Sequence, residues 1–194
     1  MNLKSIIPII KKRWASILFY GIIILLIFSP GAKSWVLQQV VSTGLLKAEI
    51  KNDGAKDLQN AATFSFIDGE GKTSTTADLK GKVVFINFWA SWCPPCRAEM
   101  PSLENLYQKL KDNSNFVFLF INEDDDRSKG LKYLEANDFT IPFYQASGNV
   151  PAEIFSGSLP TTIVLNKKGK VVLKHSGMAR YDTQDFMSQL KELE

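Results

Sequence analysis

The chain has 194 residues, of which 45% are hydrophobic, so it can form one folded domain with an additional segment. Its formal net charge is +3, but four basic residues precede residue 14 with no acidic residue among them, and subtracting these four leaves −1 for the rest. The folded part therefore lacks the basic surface that nucleic-acid binding requires, and we expect no nucleic-acid partner.

An uncharged segment of 19 residues runs from Trp14 to Ala32. As an α-helix it would extend about 28 Å, close to the hydrocarbon thickness of a bilayer. The basic residues lie before this segment and only Lys33 follows it closely. This arrangement predicts a single-pass transmembrane anchor at residues 14–32, with residues 1–13 in the cytoplasm.

A cleaved signal peptide has a similar layout and is the alternative to an anchor. We favour the anchor because the stretch Pro30-Gly31-Ala32 places a proline at one critical position of the expected small-x-small cleavage site. With either interpretation, we expect the folded part to lie outside the cytoplasmic (inner) membrane, on its periplasmic or extracytoplasmic side.

Residues 33–57 are predicted to be a stalk between the anchor and the domain. Apolar residues near its start have helical spacing, so we expect the membrane helix to continue past Pro30 with a kink. Residues 51–56 have the polar composition of a connector, and the folded domain is predicted to span residues 58–194.

Within the predicted domain, apolar runs alternate with segments of helical periodicity. Extended segments are predicted at residues 63–66, 83–89, 116–121, 140–144, 161–165 and 170–174. Helices are predicted at residues 93–111, 127–136 and from Asp182 onward, with a brief one at 151–155. The last two strands form a hairpin through a turn at 166–169. This order predicts a mixed three-layer α/β domain.

The only two cysteines, Cys93 and Cys96, are three positions apart at the start of a predicted helix. On a first helical turn their Cα atoms lie roughly 5–6 Å apart, within the range of a disulfide. Pro94 and Pro95 fit there, since early helical positions lose no intrahelical N–H bond. The positive end of the helix favours a thiolate. We therefore interpret Cys93 as the exposed attacking thiol and Cys96 as the resolving thiol.

Other interpretations of the cysteine pair have less support. A zinc site needs about four ligands, but the chain has no second cysteine pair and His175 is its only histidine. A purely structural disulfide across two residues would constrain the unfolded chain very little. We therefore predict a redox-active pair without a metal site or cofactor. The acidic run at 123–126 lacks the ligand spacing of a calcium loop and is interpreted as a solvated turn.

The segment Asn87 to Arg97, followed by Glu99 and Pro101, resembles the thioredoxin superfamily and, within it, the membrane-anchored TlpA/ResA-type thiol/disulfide oxidoreductases. A second matching segment consists of Leu159-Pro160-Thr161-Thr162 with Asn166, Gly169 and Lys170. The resemblance covers about residues 58–194. It implies a thioredoxin-like three-layer sandwich, with a mixed central sheet and helices on both faces, preceded by one transmembrane helix.

The resemblance also implies a substrate-binding surface beside the cysteines. The peptide bond Leu159-Pro160 is expected to be cis, because this family carries a cis proline there. The backbone of Leu159 is then free to pair with an extended substrate segment. Trp92, directly before Cys93, is expected to shield and contact the attacking thiol.

Asn87 marks a departure from thioredoxin itself, which carries a buried aspartate at this position. An amide cannot take a proton from Cys96. ResA-type proteins instead carry a glutamate three positions after the second cysteine, and Glu99 matches it. Residues at this spacing are neighbours on a helix, so the resemblance predicts that Glu99 accepts the Cys96 proton or tunes its pKa. Without the resemblance, a solvated helix carboxylate would be the simpler interpretation.

The function implied is an extracytoplasmic thiol/disulfide oxidoreductase that reduces disulfides of exported proteins, apocytochrome c among them. The resemblance also implies that a membrane dithiol donor reduces its cysteine pair again after each reaction. A disulfide-forming oxidase is one alternative, because reduction potential decides the direction of exchange. A module that delivers Cu(I) through the two thiolates is another. The scarcity of histidine, and of methionine near the motif, argues against the copper module.

Overall fold

The computed structural model describes residues 13–14, 16–25, 29–44, 46, 48–50 and 63–194. The strands are β1 (Ser65–Ile67), β2 (Thr73–Thr75), β3 (Val83–Trp89), β4 (Phe116–Asn122), β5 (Phe143–Ser147), β6 (Thr161–Leu165) and β7 (Val171–Ser176). The helices are α1 (Pro30–Ser42), α2 (Pro94–Leu110), α3 (Arg127–Ala136) and α4 (Gln184–Lys191), with a 3-10 turn at Thr76–Leu79. Residues 16–25 are also helical.

The seven strands form one mixed sheet in the order β2-β1-β5-β4-β3-β6-β7. The strands β3, β4 and β5 run parallel to one another. Every other neighbouring pair is antiparallel. The strand β3 is buried along its whole length, as its almost continuous apolar sequence predicts for a central strand covered on both faces.

Alternate residues of β3 divide the core into two clusters. Phe85 and Trp89 point to the face that carries the buried side chains of α2 and α4. Ile86 and Phe88 point to the opposite face and pack with Ile154. The mixed sheet with its packed helices confirms the predicted α/β class.

The second face of the sheet is covered differently from the expected helical layer. In the described chain, its covering residues come from the 3-10 turn, through Leu79, and from the segment at 150–155. The brief helix predicted at 151–155 is a single turn, in which the N–H of Ile154 bonds to the carbonyl of Pro151 at 2.9 Å. Glycines with positive φ, Gly148 and Gly157, lie on either side of this segment.

The predicted anchor at 14–32 is described only in part. The N–H of Ser29 bonds to the carbonyl of Leu25 at 2.9 Å, and the Ser29 hydroxyl caps α1 by accepting the N–H of Ala32 at 3.3 Å. Among the residues that the structure describes, no helix is both long enough and apolar enough to cross a bilayer. Residues 1–12 of the predicted cytoplasmic segment, and 51–57 of the stalk, lie outside the described residues.

Candidate active site

Cys93 and Cys96 form a disulfide at the start of α2, with their Cα atoms 5.3 Å apart. Cys93 is the N-cap residue of this helix, and Pro94 follows as its first residue. The Cys93 sulfur accepts a hydrogen bond from the backbone N–H of Cys96 at 3.2 Å. Because this donor belongs to the positive end of the helix, it would stabilise a thiolate on Cys93 after reduction.

The prediction that Cys93 is exposed is wrong for this oxidised state, since Cys93 is 3% exposed and Cys96 is fully buried. The sulfur of Cys93 is bonded to that of Cys96, and both residues belong to the core cluster against which Leu159 packs. Trp92 is the exposed residue here, at 61%. The larger residual exposure of Cys93 still makes it the more accessible of the two cysteines.

The loop between β3 and α2 is held by a carboxylate that the sequence did not single out. Asp124 accepts the backbone N–H of Ser91 at 3.0 Å and its hydroxyl at 2.9 Å. It also accepts the side-chain N–H of Asn122 at 2.7 Å, and it is 4% exposed. The interpretation of residues 123–126 as a solvated turn is therefore wrong for Asp124. The parallel pairing of β3 with β4 brings the residues after both strands together at one edge of the sheet.

Glu99 is fully buried beneath the cysteine motif and is the centre of a polar network. Its Oε1 accepts the side-chain N–H of Asn87 at 2.8 Å, and its Oε2 accepts the backbone N–H of Ala179 at 3.2 Å. The same amide of Asn87 also donates to the hydroxyl of Thr162 at 2.9 Å. The network thus joins β3, α2, β6 and the segment before α4.

Burial raises the pKa of Glu99 from its usual 4.5 to about 8, and the hydrogen bonds from Asn87 and Ala179 lower it in part. A carboxyl with this pKa exchanges its proton near neutral pH, as a proton acceptor for a thiol requires. Burial, and then the charge of Glu99, raise the pKa of Tyr181 well above its usual value. The phenol of Tyr181 therefore stays protonated while Glu99 titrates.

The peptide bond Leu159-Pro160 is cis, as the family resemblance predicts. Pro160 is buried, whereas Leu159 is half-buried and packs against both core clusters. The next residue, Thr161, begins β6, and its hydroxyl donates to the carbonyl of Ser158 at 2.7 Å. The cysteine motif follows β3, and the Leu159-Pro160 motif precedes β6. Because β3 and β6 are paired antiparallel, the two motifs lie at the same end of neighbouring strands.

His175 lies on β7 opposite Thr162, and its buried Nε2 has no hydrogen-bond partner among the described residues. In the described part of the chain, no group of three or more His, Cys, Asp or Glu side chains has the arrangement of a metal site. The groups that the described part of the site brings together are a disulfide-bonded cysteine pair and a buried carboxyl.

Three comparisons with known proteins agree with this geometry. The Redoxin family model matches residues 52–189. Thioredoxin-like protein YneN of Bacillus subtilis is 34% identical over 155 residues, 79% of this chain and 87% of that protein. Thiol-disulfide oxidoreductase ResA of Bacillus cereus is 35% identical over 161 residues, 82% of this chain and 88% of that protein.

Among solved structures, the exposed lipoprotein thioredoxin Etrx1 of Streptococcus pneumoniae strain TIGR4 has a TM-score of 0.55 and 27% identity. The similarity covers 68% of this chain and 99% of that chain. The matched family segment at 52–189 includes the cysteine pair, Glu99 and Pro160. These similarities confirm the predicted thioredoxin-like α/β fold.

Proposed function

The chain belongs to the Redoxin family and is a thioredoxin-like thiol-disulfide oxidoreductase of the ResA type, and from this premise we propose that it reduces disulfides of exported proteins. The observation that carries the proposal is the disulfide between Cys93 and Cys96 at the start of α2, three residues ahead of the buried Glu99. This arrangement supplies an attacking sulfur, a resolving sulfur and a proton acceptor on one helix.

The proposed reaction starts with both cysteines reduced. The Cys93 thiolate attacks one sulfur of the substrate disulfide, the substrate S–S bond breaks, and the departing substrate sulfur takes a proton. Cys96 then attacks the sulfur of Cys93 in the mixed disulfide. This second step releases the other substrate thiol and forms the Cys93–Cys96 disulfide. Two electrons have then passed from the protein to its substrate, and each released substrate sulfur has taken up a proton from solvent.

Glu99 is proposed to accept the proton of Cys96 in the second step, because residues three apart on α2 are neighbours on one helix face. The oxidised protein is the product of that step. Here the pKa of Glu99 is about 8, so near neutral pH the carboxyl holds the proton it would have received. Reduction of the disulfide would return this proton to Cys96.

The substrate is proposed to bind across Trp92 and Leu159, with the buried Pro160 beside them. Trp92 is 61% exposed directly before Cys93, so its ring is available to a bound polypeptide. The backbone N–H and C=O of Leu159 form no hydrogen bond within the described residues. An extended substrate segment can therefore pair with them, as in strand addition.

The site is proposed to face the extracytoplasmic side of the inner membrane, with residues 14–32 as an uncleaved single-pass anchor. The absence of charge in this segment and the basic residues before it support this orientation. Large apolar side chains described there are exposed to solvent: Ile17, Leu18, Phe19, Ile22 and Ile24. Lipid would cover them. The solved relative described as an exposed lipoprotein agrees with this location.

A reductase in an oxidising compartment must regain two electrons after each cycle. We propose a membrane dithiol donor as the partner that reduces the Cys93–Cys96 disulfide. Exported proteins with disulfides, apocytochrome c among them, are the proposed substrates, which would place the protein in cytochrome c maturation. No cofactor enters this scheme, since the two sulfurs carry both electrons.

Trapping of the mixed disulfide tests the proposal. The full-length Cys96→Ala variant should accumulate exported proteins bound to Cys93, and dithiothreitol should release them. The double variant Cys93→Ala/Cys96→Ala is the matched control and should trap nothing. Trapped partners that turn out to be cytoplasmic would contradict the proposed location. If the oxidised wild type instead forms disulfides in reduced test proteins faster than the reduced form cleaves them, the protein acts as an oxidase.

A further inference from the structure

The N-terminal segment that precedes the domain is tied to the redox helix. Helix α1 packs along α2, and the side-chain amide of Gln38 donates to the carbonyl of Arg97 at 3.2 Å. Arg97 follows Cys96 directly. Further along, Ala48 is 2% exposed and belongs to the same core cluster as both cysteines. The described part of the predicted stalk therefore lies against the domain.

Arg180 makes three further hydrogen bonds with this segment. Its side chain donates to the carbonyl of Ser42 at 2.7 Å. Its backbone N–H donates to the carbonyl of Leu46 at 2.7 Å, and its own carbonyl accepts the N–H of Ala48 at 3.3 Å. The Nε of Arg180 also donates to Asp182 at 2.7 Å, which holds the guanidinium in place. Three hydrogen bonds thus fix the backbone and side chain of this one residue against Ser42, Leu46 and Ala48.

The residues on either side of Arg180 contact the redox helix. The preceding N–H, from Ala179, donates to the Glu99 carboxylate at 3.2 Å. The following N–H, from Tyr181, points to the hydroxyl of Ser102 on the same helix, at 3.4 Å. The segment 179–181 is therefore held on one side by Ser42, Leu46 and Ala48 and on the other side by α2. Any movement of Arg180 would displace the backbone N–H that Glu99 accepts.

We propose that Arg180, bound by Ser42, Leu46 and Ala48, is a positioning residue that holds the N–H of Ala179 on the active-site carboxylate of Glu99. The segment next to the membrane then contributes to the active site without contacting the reacting sulfurs. This inference rests on the role proposed for Glu99. It predicts that loosening these contacts of Arg180 changes the titration of Glu99, whereas an arginine that only stabilises the fold would leave it unchanged.

The direction of the change follows from the groups that face Glu99. The hydrogen bond from Ala179 favours the ionised carboxylate, so its loss raises the pKa of Glu99. Asn87 and Thr162, from β3 and β6, are neutral amide and hydroxyl groups. The charged or titratable groups nearby are the Arg180–Asp182 pair, His175 opposite Thr162, the phenol of Tyr181 and, once reduced, the thiol of Cys96. The phenol stays protonated throughout the relevant range, as argued above.

The experiment follows the Glu99 carboxyl carbon by ¹³C NMR in the oxidised full-length protein, with Glu99→Gln to assign the signal. In Arg180→Ala we expect the inflection to move upward by about 0.5–1 pH unit. We also expect the amide of Ala179 to exchange its hydrogen about tenfold faster, because its acceptor is no longer held in place. Arg127→Ala is the matched control. It removes an arginine that donates to a backbone carbonyl, that of Gly69, at 2.6 Å but lies outside the Glu99 network.

Arg180→Lys keeps the positive charge but replaces three guanidinium nitrogens by one, so that Asp182 and the carbonyl of Ser42 compete for it, and it provides a second, milder variant. We expect its inflection to lie between those of the wild type and Arg180→Ala. Suppose that in Arg180→Lys the Glu99 inflection equals that of the wild type and the Ala179 amide exchanges its hydrogen as slowly. The positive charge of residue 180 would then be enough to set the pKa of Glu99, and the inference would be overturned. If Arg180→Ala leaves the inflection unmoved, the inference is likewise overturned while the role of Glu99 stands. If Glu99→Gln retains the inflection, both fail.

Discussion

Asn87 donates its side-chain N–H to the Glu99 carboxylate at 2.8 Å and so joins the central strand β3 to the redox helix α2. Both residues are fully buried. A buried carboxyl with only two neutral donors keeps a raised pKa, because these bonds offset only part of the cost of removing the charge from water. The pair thus leaves Glu99 able to take up and release a proton near neutral pH.

The raised pKa of Glu99 makes the stability of the oxidised protein depend on pH. The folded state binds this proton up to about pH 8, whereas the unfolded chain loses it near 4.5. The contribution of Glu99 to the free energy of unfolding is therefore largest below pH 4.5, and it decreases as the pH rises from 4.5 to about 8. Its contribution falls by about 1.4 kcal/mol per pH unit in that window.

Urea denaturation of the oxidised protein between pH 5 and pH 9 measures this dependence. In Glu99→Gln the side chain at position 99 cannot ionise. We therefore expect the free energy of unfolding of this variant to fall less steeply with pH than that of the wild type, by about 1.4 kcal/mol per pH unit. Glu104→Gln is the matched control on the same helix, since partial burial raises the pKa of Glu104 but hydrogen bonds from Gln108 and Thr140 outweigh it and lower the pKa, so that this carboxyl does not titrate between pH 5 and pH 9. Parallel wild-type and Glu99→Gln profiles would contradict the assignment of a raised pKa to this residue.

Asn87→Asp would place a second carboxyl against Glu99 at hydrogen-bond distance. Burial raises the pKa of both carboxyls and the charge of one raises the pKa of the other, so across this range the folded variant holds more protons than the folded wild type. We expect the variant to lose stability relative to the wild type by at least about 2 kcal/mol more at pH 8 than at pH 5. Urea denaturation at the two pH values measures the difference. An equal loss at both would show that the two carboxyls do not interact.

The sequence predicted the local elements well because the signals that define them are local. The apolar run of β3 and the helical spacing of α3 predicted the first and last residue of each element correctly. By contrast, β2 was missed, since a three-residue strand of Thr-Ser-Thr has no apolar alternation. The strand β5 begins three residues later than the predicted segment at 140–144.

Residues of the site could be predicted from the sequence only where they belong to a recognisable motif. The cysteine pair follows from spacing, but the burial of Glu99 does not, because a helix carboxylate is usually solvated. Only the family resemblance singled Glu99 out. Asp124 was missed altogether: its partner Ser91 is 33 positions away, and they meet through the pairing of β3 with β4. Contacts of this kind depend on sheet topology, which one sequence does not encode locally.

Asp124→Ala tests whether this carboxylate holds the loop before the cysteines. The change leaves the N–H of Ser91 and the side-chain amide of Asn122 without their acceptor inside the protein. We expect a loss of about 2–3 kcal/mol in the free energy of unfolding, because unpaired buried donors are costly. We also expect slower reduction of insulin, since the loop leads directly to Cys93. Asp125→Ala is the control, because Asp125 is exposed.

The control should change stability by less than about 0.5 kcal/mol. Urea denaturation and the insulin assay on the two variants decide the matter together. If Asp124→Ala and Asp125→Ala lose the same small amount in both measurements, then the hydrogen bonds to Ser91 do not contribute to the site.

Gly130→Ala tests the packing of α3 behind the same loop. Alanine in a helix interior is normally favoured over glycine by about 1 kcal/mol. At Gly130, however, an added Cβ would lie 2.7 Å from Nδ2 of Asn122 and 2.8 Å from a ring carbon of Phe143. Because Asn122 donates to Asp124, it cannot move away without breaking that bond. Overpacking costs about 1–3 kcal/mol and outweighs the helical preference.

We therefore expect Gly130→Ala to lower the free energy of unfolding, as measured by urea denaturation. Lys129→Ala is the control, since Lys129 is exposed and lies next to Gly130 on the same helix. That variant should be neutral or slightly more stable, because alanine has at least as high a helical preference as lysine. If Gly130→Ala is as stable as the wild type or more so, then α3 can shift away from Asn122, and the loop before Cys93 is not held rigidly from this side.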